Sequence, residues 1–176
     1  MKYMPVILLT GEAGVGKTTI IKRVLERTPF KAGGFITNEI RQQGRRVGFE
    51  IVSLRGERGV LAHVDFKSRY WVGKYFVNLR DLHRVGVNAL ERAMVEDDLV
   101  VIDEIGRMEL FSKKFKDIVA KLLDGSKPVL GAIMSQRHPF AERIKQLPFI
   151  KIYEITKVNR DMMVEEVRRQ LISGGM

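Results

Sequence analysis

The eight residues Gly11-Glu12-Ala13-Gly14-Val15-Gly16-Lys17-Thr18 constrain this chain more than any others. A short apolar run, Val6-Ile7-Leu8-Leu9, precedes them, and Thr19-Ile20-Ile21-Lys22-Arg23-Val24-Leu25 follows with apolar residues at helical spacing. Strand, glycine loop and helix, with the spacing G-x-x-x-x-G-K-T, make a phosphate-binding loop. Small residues let backbone N–H groups close around a phosphate, and the new helix points its positive end there. Gly11, Glu12, Ala13, Gly14, Val15, Gly16, Lys17, Thr18 and Thr19 are therefore the expected phosphate-binding segment. Lys17 can reach the β- and γ-phosphate oxygens, and the Thr18 hydroxyl can ligate Mg²⁺.

A loop of this kind needs an acidic partner. Leu99-Val100-Val101-Ile102 reads as a second buried strand, and it ends in Asp103-Glu104. An acid at that position holds Mg²⁺, usually through its water shell, which assigns Asp103 to the metal together with Thr18. The next residue, Glu104, can orient and polarise a water for in-line attack on the γ-phosphorus. Gly106 permits a sharp path close to the ligand, and Arg107 can stabilise charge on the transferring phosphoryl group. Glu109 can orient Arg107 or the water, although both residues also read as surface charges of a loop.

The rest of the pattern is that of one α/β domain spanning residues 1–176. Residues 5–10 are apolar throughout and suit a strand buried on both faces of a parallel sheet. The helix after the loop runs to about Arg27, ahead of Pro29, with Ile20, Ile21, Val24 and Leu25 facing the core. Residues 33–41 and 46–54 alternate around Gln42-Gln43-Gly44-Arg45 and predict a β-hairpin. Arg41, Arg45 and Arg46 gather at its turn, either solvated or aimed at phosphate oxygens. Val60–Asp65 and Trp71–Val77 predict short strands. Trp71, Tyr75 and Phe76 have the surface to stack a base, but packing of the insertion onto the core is the favoured reading.

Asn78 predicts a helix cap, with Asp81 three residues on. Leu79, Leu82, Val85, Leu90 and Met94 mark the apolar face of the helix that follows, weakened but not broken at Gly86. Ser112 predicts the cap of a helix through about Leu123, stopped by Asp124-Gly125. Pro128–Met134 reads as a third buried strand, with Ser135-Gln136 at the end where ligands gather in open α/β sheets. A short helix over 138–146, a strand over 149–155 and a last helix from about Arg160 to Ile172 complete the chain, with Gly174-Gly175-Met176 expected to fray. The turn Thr156-Lys157-Val158-Asn159-Arg160 flanks the expected base position: Asn159 offers a donor and an acceptor, and Lys157 or Arg160 can lie against a ring.

Composition narrows the function. The chain has no cysteine, so neither disulfides nor thiolate chemistry enter, and His63, His83 and His138 are too scattered for a zinc site. No apolar run approaches the roughly 20 residues that span a bilayer, and the N-terminus leads directly into a core strand without a cleavage pattern, so a cytoplasmic protein is expected. The net charge of +10 suits phosphate binding and solubility; it also admits nucleic acid, which is not favoured because no run of five basic residues occurs. With 30% charged residues, few Asn and Gln and no Cys, the mix resembles a thermophile's surface.

The block Asp103-Glu104-Ile105-Gly106-Arg107-Met108-Glu109-Leu110-Phe111 strongly resembles the small nucleoside-triphosphatase family first described from hyperthermophiles, whose human relative is named cancer-related nucleoside-triphosphatase. Gly34-Phe35, Glu39-Ile40-Arg41, Gly44-Arg45-Arg46-Val47-Gly48-Phe49 and the Thr156–Arg160 turn agree, so the resemblance covers essentially the whole chain. It implies a Mg²⁺-dependent triphosphatase that accepts ATP, GTP and other nucleoside triphosphates and releases the diphosphate and phosphate. It also implies a three-layer α/β sandwich of the RecA- and AAA-like kind, with a mostly parallel sheet, antiparallel hairpin additions, and a strand inserted between the loop strand and the Asp103 strand. The candidate catalytic residues are Lys17, Glu104 and Arg107, with Asn159 and Arg160 added to the nucleotide contacts. Arg41, Arg45, Arg46 and Arg137 remain further candidates for a transition-state arginine. Two alternatives stand beside hydrolysis: a nucleotide or small-molecule kinase whose acceptor meets the Arg-rich middle, and a nucleic-acid-stimulated ATPase. A monomer or weak homo-oligomer is expected.

Overall fold

An apolar run with no alternation is stable as a strand only where both faces are covered, and Val6–Thr10 (β1) lies in such a place. In the computed structural model of the protein, which describes residues 2–174, parallel neighbours flank β1 on both sides. After the glycine loop come α1 (Lys17–Glu26), β2 (Ala32–Gln42), β3 (Arg45–Ser53), β4 (Arg58–His63) and the short β5 (Trp71–Val72) and β6 (Tyr75–Val77). A helical stretch follows, made of α2 (Leu79–Asp81), a π-helical segment Leu82–Val87 and α3 (Asn88–Glu96). The chain continues through β7 (Leu99–Ile105), a 3₁₀ turn Glu109–Phe111, α4 (Lys113–Leu122), β8 (Val129–Ile133), α5 (Pro139–Lys145), β9 (Ile150–Glu154) and α6 (Arg160–Gly174). Of the residues expected to fray, Gly174 ends α6, whereas Gly175 and Met176 lie outside the described residues.

Among the described residues, nine strands form one sheet in the order β5-β6-β4-β3-β2-β7-β8-β1-β9. From β2 to β9 the neighbours run parallel, and from β2 outward to β5 they run antiparallel. β8 therefore lies between the loop strand β1 and the acid strand β7, as the family resemblance implied. The C-terminal ends of β1, β7 and β8 share one edge, where a ligand of an open α/β sheet sits.

Alternate strand residues face opposite layers. Val6, Leu8, Val100 and Ile102 pack with the Leu82–Leu90 region, with Phe115 and Val119 of α4 and with Ile144 of α5. Ile7, Leu9, Leu99 and Val101 pack with Ile20, Ile21 and Val24 of α1 and with Met163, Val164 and Val167 of α6. Each fully buried side chain of this size contributes about 1.5–3 kcal/mol relative to exposure. The result is the expected three-layer sandwich, helix layers on both faces of the sheet.

Several local expectations hold for the stated reasons. The hairpin turns at Gln43 and Gly44, both left-handed (φ 50° and 75°), the twist a two-residue hairpin loop needs. Asn78 Oδ1 accepts from Asp81 N at 3.3 Å, and Ser112 Oγ accepts from Phe115 N at 3.0 Å. Ser112 Oγ also meets His83 Nε2 at 2.6 Å and so ties α4 to the π-helical segment.

Other expectations are corrected. Trp71–Val77 is not one strand, because the chain reverses at Gly73 (φ 58°) and pairs Trp71 with Phe76. Trp71 does not pack on the core; it is 59% exposed, and Tyr75 and Val77 make that contact. Asp81 does not complete a reciprocal cap, since its carboxylate accepts from Val60 N at 2.8 Å. Gly86, as expected, does not break the helical stretch; it lies inside the π-helical segment, where a Cβ would stand 2.7 Å from Ile51 Cδ1. β7 does end in the acid pair's neighbourhood as expected, but it runs one residue further, through Glu104 to Ile105.

Candidate active site

The loop between β1 and α1 wraps a small concavity. Gly16 caps α1 in a left-handed conformation (φ 118°), with no side chain capping the helix and no acid in its first turn. The first-turn N–H groups thus have no internal competitor for a phosphate oxygen. Val15 N donates to Glu12 O at 3.2 Å, and Arg160 Nη1, from the start of α6, donates to Val15 O at 3.2 Å and braces the loop from behind. Gly11 (φ 146°) passes so close to β9's end that a Cβ would be 2.6 Å from Ile155 O.

Four expected functional side chains meet over this loop. Lys17 Nζ donates to Gly11 O at 2.6 Å and lies 3.7 Å from Glu104 Oε2. Thr18 Oγ1 donates to Asp103 Oδ2 at 2.7 Å. Thr37 N, on β2, also donates to Asp103 Oδ2, at 3.4 Å. The β7–β8 ladder is interrupted between Ile102 and Ile105, and the peptide bond joining the two acids is cis. Thr18 and Asp103 are hard oxygen donors in mutual contact, a donor pair that fits Mg²⁺, which takes one or two protein oxygens and completes its shell with phosphate and water.

Burial sets the acid chemistry. Asp103 is 2% exposed. Desolvation, helped by the Glu104 charge, raises its carboxyl to about 6 against the hydrogen bonds from Thr18 and Thr37 and the charge of Lys17. Glu109 is also buried, and desolvation, then the charges of Glu104 and Asp103, hold it well above the ordinary carboxylate range. It is therefore not a surface charge of a loop. A Cβ on Gly106 would stand 2.6 Å from Glu104 Oε1 and 3.1 Å from Glu109 Oε2, so both carboxyl groups close on that glycine. Arg107 is exposed and faces the same cavity.

That cavity has a volume of about 630 Å³. Ala13, Gly14, Gly16, Lys17, Thr18 and Thr19 form one wall, and Asp103, Glu104, Arg107 and Glu109 form another. Of the hairpin arginines only Arg46 lines it, paired with Glu39 at 3.2 Å; Arg41 pairs with the same carboxylate at 2.7 Å, and Arg45 is exposed at the turn. Gln136 lines the cavity; Ser135 and Arg137 are exposed and are not among its lining residues. Gly11, Glu12, Val15, Asn159 and Arg160 lie outside it too.

Asn159 is engaged otherwise than expected. Its Oδ1 accepts from Thr156 N at 2.8 Å, and its Nδ2 donates to Glu154 O at 2.9 Å, so the turn uses both groups offered for base reading. Lys157 and Val158 are exposed at that turn.

Sequence reasoning missed Thr37, Asn38 and Lys22. Lys22 Nζ donates to Asn38 Oδ1 at 3.0 Å, and all three residues line the cavity. The signal was present: Thr37-Asn38 follow the buried Gly33-Gly34-Phe35 as Asp103 follows its own buried run. The parallel register Phe35↔Ile102 sets the two polar ends side by side.

A family model described as NTPase matches residues 6–168. The chain belongs to that NTPase family. Among NTPase relatives, a protein named nucleoside-triphosphatase THEP1 from Thermotoga sp. (strain RQ2) is 50% identical over 161 residues, covering 92% of each chain. The crystal structure of THEP1 from the hyperthermophile Aquifex aeolicus superposes with a TM-score of 0.86 at 38% identity, covering 93% of this chain and 96% of that one. The solution structure of a human cancer-related nucleoside triphosphatase gives 0.81 at 34% identity, covering 96% and 98%. The sandwich is thus that of the P-loop NTPases.

Proposed function

We propose that this chain hydrolyses the β–γ bond of nucleoside 5′-triphosphates in a Mg²⁺-dependent reaction, with little discrimination among bases. The observation that carries the reading is the pairing of Thr18 with Asp103 at 2.7 Å beside Lys17 and Glu104, which face each other at 3.7 Å. The names of the relatives, all nucleoside-triphosphatases, support it. Among the described residues no helix is long and apolar enough to cross a membrane, and a triphosphate substrate suits the cytoplasm.

In this reading the loop amides and Lys17 hold the β- and γ-phosphates between α1 and the acid pair. Thr18 and Asp103 would hold Mg²⁺, which would supply positive charge against that developing on the leaving diphosphate. Glu104 accepts a proton from water as its oxygen bonds the γ-phosphorus. The bond to the β–γ bridging oxygen breaks, and the diphosphate leaves with the electron pair. Arg107, exposed at the mouth, supplies positive charge to the equatorial oxygens. Asn159 spends its carboxamide on the turn, so it has no free pattern with which to tell one base from another.

The test is phosphate release from ATP, GTP, CTP and UTP, with and without Mg²⁺, by wild type and Glu104→Gln. Loss of a well-placed electrostatic group costs about 10²–10³ in rate, so Glu104→Gln should fall by about that factor while still binding a non-hydrolysable analogue. Wild-type turnover that survives removal of Mg²⁺, or a Glu104→Gln variant as fast as wild type, sinks the assignment.

A further inference from the structure

The turn Thr156–Arg160 carries the chain from β9 into α6, and the hydrolytic reading gives it no task. None of its residues lines the cavity in front of the phosphate loop. It is nevertheless built as a closed unit. Thr156 N donates to Asn159 Oδ1 at 2.8 Å, and Asn159 N donates back to Thr156 Oγ1 at 3.2 Å. Asn159 Nδ2 donates to Glu154 O at 2.9 Å, and Arg160 N and Met163 N donate to Thr156 O and Asn159 O at 3.1 Å each. Reciprocal pairing of a threonine with a polar side chain three residues on is an arrangement that fixes a helix start. The start of α6, and with it the root of the Arg160 side chain, is therefore held in place.

This connection grips the phosphate loop at both ends. At the first, Ile155 N donates to Thr10 O at 2.7 Å, and a Cβ on Gly11 would stand 2.6 Å from Ile155 O. At the second, Arg160 Nη1 donates to Val15 O at 3.2 Å, and a Cβ on Gly16 would stand 3.6 Å from Arg160 Cδ. Among the described residues no carboxylate pairs with that guanidinium. Gly16 lines the cavity, whereas Val15 and Arg160 do not. The Val15–Gly16 peptide is trans, and in a planar trans peptide the C=O and the N–H point in opposite directions. Arg160 holds Val15 O on the side away from the cavity, so the Gly16 N–H is aimed into it. Gly16 is left-handed (φ 118°), and a glycine takes either sign of φ about as readily. The peptide before it turns over easily unless its oxygen is held.

We propose that Arg160 is a positioning residue of the phosphate seat: by holding Val15 O it aims the Gly16 N–H at a phosphate oxygen, and the Thr156–Asn159 pair holds Arg160 for that task. This rests on the hydrolytic reading for the ligand, a triphosphate, and not for any step of the reaction. It replaces the expectation that Arg160 lies against the base. Arg160 serves the phosphates through the loop backbone, so its contribution is the same whatever base the ligand carries, and the same when the ligand carries none.

Inorganic tripolyphosphate is the deciding probe, because it fills the phosphate seat and has no base. Its affinity in Mg²⁺ is measured beside those of non-hydrolysable ATP and UTP analogues, for wild type, Arg160→Ala, Arg160→Lys and Asn159→Ala. Arg160→Ala should weaken all three ligands by the same factor, about tenfold, the worth of one hydrogen bond from a charged group. Arg160→Lys, which keeps a cationic donor, should regain most of that loss, and so should guanidinium ion added to Arg160→Ala below denaturing concentrations. By NMR, tripolyphosphate should move the Gly16 amide proton downfield in wild type and less in Arg160→Ala. A loss confined to the nucleotide analogues, with tripolyphosphate unaffected, overturns the proposal and returns Arg160 to the base. Unchanged affinity for all three ligands overturns it, as does a full Gly16 shift in Arg160→Ala. A loss that neither lysine nor guanidinium restores overturns it as well, because Arg160 then serves only the fold. If Arg160→Ala does not fold, Asn159→Ala decides: an equal loss on all three ligands supports the proposal, and wild-type affinity overturns it. Phosphate release from ATP is followed separately. A wild type that binds tripolyphosphate and the analogues but releases no phosphate removes the hydrolytic reading and leaves the role of Arg160 standing.

Discussion

Replacing Asp103 with asparagine should make the metal-free protein more stable at neutral pH while abolishing Mg²⁺-dependent turnover. Asp103 is 2% exposed, and burial with the neighbouring Glu104 charge lifts its carboxyl from 3.8 to about 6. A group raised in this way holds its proton more tightly in the folded chain than in the unfolded one, so stability falls as pH rises between the two values. The cost is absent below about pH 4, grows to about pH 6 and is constant above it. About two pH units at about 1.4 kcal/mol each give about 3 kcal/mol, with no discount for solvent because the carboxyl is fully enclosed. Asparagine keeps an oxygen to accept from the Thr18 hydroxyl and the Thr37 amide, and it carries no charge.

The assay is guanidinium unfolding of both proteins in a chelator, from below about pH 4 to about pH 8. The Asp103→Asn variant should be the more stable by about 2–3 kcal/mol at the upper end, with the gap closing on acidification. Added Mg²⁺ with a non-hydrolysable triphosphate should then favour wild type, because ligand binding to the folded state is lost with the carboxylate. Equal stability at about pH 8 refutes the reasoning, and so does a gain that persists below about pH 4.

Other outcomes follow from single contacts. Gly34→Ala should destabilise by about 3 kcal/mol or more in the same assay, since Gly34 is left-handed (φ 107°) and its Cβ would press into the Val101 backbone of β7. Ser112→Ala should cost about 1–2 kcal/mol through loss of the α4 cap, and the His83 imidazole, already lowered by burial, should titrate at a changed pH by NMR. Phe115→Ala, fully buried edge-on to Phe35 at 6.2 Å, should cost about 3–5 kcal/mol. Glu109→Gln should change stability at neutral pH by less than about 1 kcal/mol, because burial holds that carboxyl well above the ordinary carboxylate range and so favours its uncharged form; a loss above about 2 kcal/mol would mean an ionised, partnered Glu109.

Much of the site is legible because its chemistry is local. A phosphate loop needs a strand, small residues, a lysine and a helix within one short stretch, and its spacing is visible without knowing what packs on it. The same holds for the caps at Asn78 and Ser112, where a side chain and the amide it serves are three residues apart. The acid pair is legible because an apolar run ends in it, and the strand β7 carries both acids at its C-terminal end.

What the chain by itself determined about this protein is thus the phosphate loop, the acid pair, the alternation of buried strands with amphipathic helices, and membership in a nucleotide-hydrolysing class. Tertiary structure alone decided which distant residues share a wall. The insertion of β8 between β1 and β7 sets the spacing across which Thr18 meets Asp103, and the Phe35↔Ile102 register brings Thr37 to the same carboxylate. Packing decided that Glu109 is buried and Trp71 is not, and turn geometry decided that Asn159 spends its amide at home. The folding of the antiparallel strands onto the parallel edge brought Arg46, Phe49 and Tyr75 to the mouth of the phosphate seat. The physical reason is the same throughout: periodicity and capping act over a few residues, whereas burial, charge pairing and cavity shape depend on partners that sequence spacing does not locate.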